Sequence, residues 1–156
     1  MTSPEPVAPT RPSNAADGAL FDAIATEHAT IYGYGIVSAH SIPEVNYLVS
    51  AAMAQHRSRR ESAIAMLADA DIEAPLPAAG YSLPMEVDAP TDAAKLAVTM
   101  EQDSATAWRA VIEQATDQSL RAFAVTALTD SAVTAARWRR VSGDPTITVA
   151  FPGGTE

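Results

Sequence analysis

The sequence predicts an all-α protein built as an antiparallel bundle of four helices. Three observations lead to this prediction. Alanine is abundant, and the 156 residues include only seven glycines, a composition that favours helix. Four stretches place apolar residues at the three- and four-residue spacing of one helix face. The only strand-like stretch, residues 146–151, has no obvious partner strand.

Composition limits the class of protein. The length suits a single domain with a core large enough to fold without covalent staples. The absence of cysteine excludes disulfides, thiolate metal sites, iron–sulfur clusters and cysteine nucleophiles. The formal net charge is −9, whereas a nucleic-acid binder normally has a basic surface. We therefore expect no nucleic-acid partner, and we attribute the acidic balance chiefly to solubility.

The amino-terminal segment is rich in proline, serine, threonine and alanine. Its prolines at positions 4, 6, 9 and 12 block regular structure, so we predict a disordered tail over residues 1–15. The segment lacks the apolar core of a signal peptide, and no apolar run reaches membrane-spanning length. We therefore expect a cytoplasmic protein without a membrane partner.

Helix signals divide the rest of the chain. The predicted helices cover approximately residues 16–38, 42–70, 90–115 and 117–141. Ser41 and Glu44 have the spacing of a capping box at the start of the second helix. Thr116 or Asp117 caps the fourth helix, and Gly143 ends it.

The predicted connections set the topology. Short links join helix one to helix two and helix three to helix four, so each pair should form an antiparallel hairpin. Residues 71–90 carry four prolines and Gly80, which indicates a long connection. It either crosses the length of the bundle or forms a loose loop in an up-down-up-down bundle. We expect the bundle over residues 16–145 and an extended tail over 146–156, with Phe151 packed on an apolar surface.

Polar side chains interrupt the apolar faces at a few positions. Glu27 falls inside the stripe of the first helix, with His28 beside it. His56 lies near the centre of the apolar stripe of the second helix. Arg59 and Arg60 lie on either side of that stripe. Because a buried carboxylate is costly unless it is paired, we expect these basic residues to form a polar cluster with Glu27.

Two interpretations of this cluster stay open. In the structural one, Glu27, His56 and an arginine form an internal cluster that fixes the register of the helices. In the functional one, Glu27, His56 and Glu101 hold a metal ion or another small ligand. Glu101 belongs to this set because it flanks the apolar face of the third helix.

Several segments carry a family resemblance. They are EHATIYGYG (27–35), HRSRRES (56–62), ME (100–101) and AVTAARWRRVSGDPTITVAFPG (132–153). Together they resemble a bacterial family of ferritin-like domains of unknown function, and the resemblance covers nearly everything from Leu20 to Gly153. It implies a ferritin-like four-helix fold with a long crossover, and it implies no known activity.

The wider ferritin-like superfamily binds two metal ions between its helices. Two helices each give one Glu, and the other two each give a Glu-x-x-His. By resemblance, Glu27, His56 and Glu101 match ligands from the first, second and third helices. Met53 stands where the second helix should carry its glutamate, and the fourth helix has no Glu-x-x-His. The resemblance therefore implies at most one Fe, Mn or Zn ion, and no complete di-iron site.

Three functional hypotheses follow. The favoured one is a non-catalytic interaction or structural module, expected to form a homodimer because its alanine-rich helix faces permit close packing. The second is a protein that binds a single metal ion or a small ligand through Glu27, His56 and Glu101. The third is a metal-dependent oxidoreductase, which the missing ligands disfavour.

Overall fold

The architecture comes from a computed structural model that describes residues 7–155. Within that range the chain is all-helical, with four long helices and no strand. The helices are α1 (Ala15–His40), α2 (Asn46–Asp69), α3 (Pro90–Gln114) and α4 (Gln118–Ser142). The predicted all-α class and the number of helices are confirmed. None of these helices combines the length and apolarity needed to cross a membrane.

Residues 7–14 lead into α1 without regular structure. Residues 1–6 of the predicted disordered tail lie outside the described residues. Asn14 caps α1, because its side-chain oxygen accepts hydrogen bonds from the backbone N–H groups of Ala16 and Asp17. Arg11 reaches Asp22 of α1 with an ion pair of 2.8 Å at the surface.

The ends of α4 follow the sequence prediction. Asp117 caps the helix by accepting a hydrogen bond of 2.9 Å from the backbone N–H of Leu120. Gly143 ends the helix with a φ of 76°, a left-handed conformation that favours glycine.

The predicted capping box at Ser41 is wrong. Because α1 extends to His40, Ser41 becomes the residue that ends it, and its hydroxyl donates to the carbonyl of Val37 at 2.6 Å. A short 3-10 turn, Pro43–Val45, follows with no side-chain cap. The second helix therefore begins at Asn46 and not at Ile42.

The buried apolar side chains form two core clusters. The first cluster includes Ile24, Leu67, Trp108 and Ala127. The second cluster includes Tyr34, Val49, Leu96 and Trp138. On each helix the two clusters are separated by one or more buried polar residues, which together form a polar layer between them.

The long connection, residues 70–89, lies against both core clusters. Ile72 and Ala74, at its start, pack against the first cluster. Leu83, Met85 and Val87, nearer its end, pack against the second. The connection therefore passes from one core cluster to the other.

The carboxyl-terminal tail folds back onto α3 and α4. The carbonyl of Ile147 accepts a hydrogen bond of 3.3 Å from Nη1 of Arg139. Gly153 adopts a φ of 75° against the backbone of Ala105, where an added Cβ would lie 2.5 Å from the carbonyl oxygen. The expectation that Phe151 packs on an apolar surface is wrong, since 71% of the residue is exposed. Gly153 makes the close approach to the helix, and the Phe151 ring remains largely in solvent.

Candidate functional site

The polar layer brings together the three predicted ligands. Nδ1 of His56 lies 2.6 Å from Oε2 of Glu27, and Nε2 lies 2.9 Å from Oε1 of Glu101. All three side chains are fully buried. Each ring nitrogen of His56 therefore faces a carboxylate oxygen, an arrangement that suits an imidazolium donating two hydrogen bonds.

Arg59 adds a second buried cation. Its Nη1 lies 3.1 Å from Oε1 of Glu27 and 3.0 Å from the hydroxyl oxygen of Ser131 on α4. The hydroxyl of Ser104 on α3 donates to the same oxygen of Glu27 at 3.2 Å. We call Glu27, His56, Arg59 and Glu101 the ionic cluster. With Ser104 and Ser131 it connects all four helices.

Three aromatic side chains add hydrogen bonds to the cluster. Nε1 of Trp108 donates to Oε1 of Glu27 at 2.7 Å. The hydroxyl of Tyr34 donates to Oε1 of Glu101 at 2.5 Å, and Nε1 of Trp138 donates to the Tyr34 hydroxyl at 2.9 Å. These side chains belong to the two core clusters, so they join the ionic cluster to the apolar core on both sides.

The ionisation of the cluster follows from these contacts. Burial alone would lower the pKa of His56, but hydrogen bonds to Glu101 and Glu27, together with their charges, raise this pKa to about 9. Burial alone would raise the pKa of Glu27, but His56, Arg59 and Trp108 bring it below its usual value. His56 and Arg59 therefore lie as two cations beside the carboxyl groups of Glu27 and Glu101, and the partly exposed Asp130 lies 3.9 Å from Nη2 of Arg59.

Two predicted members lie outside the cluster. Nε2 of His28 lies 3.0 Å from the carbonyl oxygen of Pro75 in the long connection. Arg60 forms a surface ion pair of 2.7 Å with Glu61. Each follows a cluster residue by one position, and successive side chains on a helix point about 100° apart. That rotation turns His28 toward the connection and Arg60 toward solvent.

Sequence reasoning missed the serines and the polar role of the aromatics. Ser131 sits on a stripe of small residues and Ser104 on the apolar face of α3, and in both places a serine is easily taken for an alanine-like packing residue. Tyr34 and Trp108 offered a usable signal, because a buried hydroxyl or indole N–H normally needs a partner. A buried carboxylate on a neighbouring helix is such a partner.

The cluster does not fit the two-metal site of the ferritin-like superfamily. The Arg59 guanidinium lies among Glu27, Ser104 and Ser131, so a cation already contacts the first-helix carboxylate. Over residues 7–155, no group of three or more His, Asp or Glu residues is arranged to hold a metal ion. The single-ion site stays a prediction. An ion there would have to displace the proton of His56 and at least one of its hydrogen bonds.

Fold and site together define an all-helical domain organised around a buried ionic cluster. The chain belongs to the DUF4439 family, a domain of unknown function, whose model matches residues 19–156. Its structure is similar to the crystal structure of a conserved hypothetical protein, rv2844, from Mycobacterium tuberculosis. The two are 59% identical with a TM-score of 0.82, over 83% of this chain and 98% of that one. No curated protein matches the chain.

Proposed function

We propose that the protein is a non-catalytic ferritin-like bundle that acts as a structural or interaction module. The observation that carries this proposal is that the ionic cluster is satisfied largely from within the chain. Both ring nitrogens of His56 are engaged, and Glu27 accepts hydrogen bonds from four side chains. A general acid or base needs a free position toward its substrate, which these two residues do not offer.

The composition of the core clusters supports the ferritin-like topology. The first cluster joins the first halves of α1 and α4 to the second halves of α2 and α3. The second cluster joins the opposite halves. Accordingly α1 runs antiparallel to α2 and α3 and parallel to α4. The connection between the two clusters then acts as the long crossover of a ferritin-like fold.

In this proposal the ionic cluster fixes the register of the four helices. A buried charge left without its partner is strongly unfavourable, so a helix that slides by one turn breaks the pairing of His56 and Arg59. The apolar clusters on either side are rich in alanine and tolerate small shifts more readily. The polar layer therefore selects one alignment of the four helices.

We further propose a homodimer formed through α4. Its exposed side includes three valines, Val125, Val133 and Val141, each between 39% and 46% exposed. A second copy of the chain would remove this apolar surface from water. We propose no nucleic-acid or membrane partner, given the net charge of −9.

A single metal ion held by Glu27, His56 and Glu101 is the second candidate. One observation favours it: Oε2 of Glu101 is buried and has no hydrogen-bond partner among the described residues. In this case His56 would bind as a neutral imidazole, and the module would be a metal-binding protein.

Mass and metal content of the same sample test the two candidates. The protein is purified without a histidine tag, loaded anaerobically with Fe(II), Mn(II) or Zn(II), and measured by light scattering and elemental analysis. We expect twice the chain mass of 16.3 kDa, and less than about a tenth of an ion per chain, because a competent site takes up metal near-stoichiometrically.

Variants separate the outcomes of this experiment. Val133→Asp should give a monomer, and Ala25→Asp on the exposed side of α1 is the matched control. A wild-type monomer at every concentration would contradict the dimer. Stoichiometric metal that is lost in His56→Ala would establish the second candidate instead of the first.

A further inference from the structure

A cavity of about 250 Å³ lies beside the ionic cluster, between α3, α4 and the carboxyl-terminal tail. Two buried charged residues, Glu101 and Arg139, line it together with two uncharged polar residues, Gln102 and Thr106, and with small or apolar ones. Neither the register role of the ionic cluster nor the α4 surface explains this cavity. Among residues 7–155, Glu101 lacks a hydrogen-bond donor for one oxygen, and Arg139 lacks an ion-pair partner.

Glu101 lacks a donor for one of its oxygens. Its Oε1 accepts hydrogen bonds from Tyr34 and His56, whereas its Oε2 has no partner in residues 7–155. The residue is 1% exposed, so bulk water does not compensate for the missing bond. A buried acceptor without a donor is unfavourable, and a ligand donor in the cavity would satisfy it once the Glu101 carboxylate, which lines the cavity, turns this oxygen toward it.

Arg139 has no anionic partner among residues 7–155. It is 4% exposed, and its hydrogen bond runs from Nη1 to the neutral carbonyl of Ile147. Within the described part of the chain it forms no ion pair. Arg139 therefore carries a buried positive charge that no carboxylate of residues 7–155 pairs with. The carboxyl-terminal end of α4 offers only a partial negative charge against it.

We propose that this cavity binds a small carboxylate that carries a neighbouring hydroxyl or amino group. The ligand carboxylate pairs with the Arg139 guanidinium, whose planar geometry suits it. The hydroxyl or ammonium group donates a hydrogen bond to Oε2 of Glu101. The cavity is smaller than the roughly 300–1,000 Å³ typical of sites for drug-sized ligands, so the ligand has few non-hydrogen atoms.

The carboxyl-terminal tail closes this site. Phe151, Pro152 and Gly153 line the cavity on the side away from the helices. The absence of a side chain at Gly153 lets the tail lie directly on the backbone of Ala105. The tail thus supplies a wall that the four helices alone do not provide. This inference goes beyond the structural role proposed above and does not depend on a dimer.

A titration of the full-length, 15N-labelled chain followed by NMR tests the proposal. Glycolate and glycine are the probes, and the backbone amides of Ala105, Gly153 and Gly154 report on the cavity. We expect saturable shifts at these amides. Acetate lacks the donor and methylamine lacks the carboxylate, so each should bind at least about tenfold more weakly.

Variants on α4 show where the probes bind. Ala132→Met fills the cavity without removing either charged residue, and it should abolish the shifts. Ala122→Met, at an exposed alanine of the same helix, should leave them unchanged. Arg139→Gln should remove the preference for glycolate over methylamine, whereas Arg140→Gln, at an exposed position, should keep it.

Three results would overturn the proposal. They are no saturation below roughly 50 mM probe, equal affinity for glycolate and acetate, and shifts that persist in Ala132→Met. The first result means that the cavity holds water only, the second that Glu101 does not recognise a ligand donor, and the third that the probes bind elsewhere. All three leave the mass and metal experiment unaffected, so failure here is distinct from failure of the proposed function.

Discussion

His56 stands at the centre of the contacts between the helices. Its ring lies between Glu27 of α1 and Glu101 of α3, while Arg59, one turn further along α2, binds the other oxygen of Glu27. A single carboxylate therefore compensates part of two buried cations. Removing it leaves both charges under-compensated in a region from which water is excluded.

Glu27→Gln tests this dependence. The substitution keeps the shape of the side chain but removes its charge, and we expect a loss of about 3–5 kcal/mol in the free energy of unfolding. His56→Ala should cost a similar amount. Urea denaturation at pH 7 measures both. Glu61→Gln, at an exposed glutamate paired with Arg60, is the control and should change little. An unchanged stability in Glu27→Gln would show that the cluster does not hold the helices together.

Part of this site was predictable from the sequence. Glu27 and His56 stood out because charged side chains rarely fall inside an apolar stripe. The sequence could not choose between Arg59 and Arg60, since both border the stripe and only the rotation of α2 decides between them. Ser104, Ser131 and Arg139 were not predictable as site residues. Their roles depend on which side chains face them across the helices.

At the scale of single elements, α1 shows how closely the helices approach. Gly33 faces Met100 of α3, and a Cβ at that position would collide with the Met100 sulfur. Gly35, on the same helix, has open space where its Cβ would lie. A Cβ at position 33 would therefore force the Met100 side chain to move, whereas position 35 has room for one.

Alanine substitutions at these two glycines should have opposite effects. Gly33→Ala overpacks the contact with α3, and we expect a loss of about 1–3 kcal/mol in stability. Gly35→Ala should gain about 0.5–1 kcal/mol, because alanine is the better residue in a helix interior. Urea denaturation of the two variants measures the difference. A gain of equal size in both would mean that α1 does not lie against Met100 as described.

The ends of the elements show where local signals are sufficient. Asp117 and Gly143 predicted the limits of α4 because each acts within its own helix. The prediction for Ser41 was wrong because this residue lies between two helices. Since α1 extends to His40, Ser41 ends α1 and does not begin the next helix. A cap that two helices can share is not assigned by local sequence alone.

At the scale of the whole molecule, two apolar clusters enclose one polar layer. The sequence predicted four helices because each repeats an apolar face, and it identified residues 71–90 as a long connection. It left the path of that connection open, because apolar residues among prolines have no fixed period. The contacts of Ile72 with one cluster and of Leu83 with the other supply the missing information.

The protonation state of His56 is the most direct test of the ionic cluster. NMR of the 15N-labelled imidazole, assigned by comparison with His56→Ala, reports whether each ring nitrogen carries a proton. We predict that both carry protons at pH 7, because each faces a carboxylate, and that the ring loses one proton with a midpoint near the pKa of about 9. A neutral ring at pH 7, with one bare nitrogen, would contradict the ionic cluster and favour a metal ligand at this position.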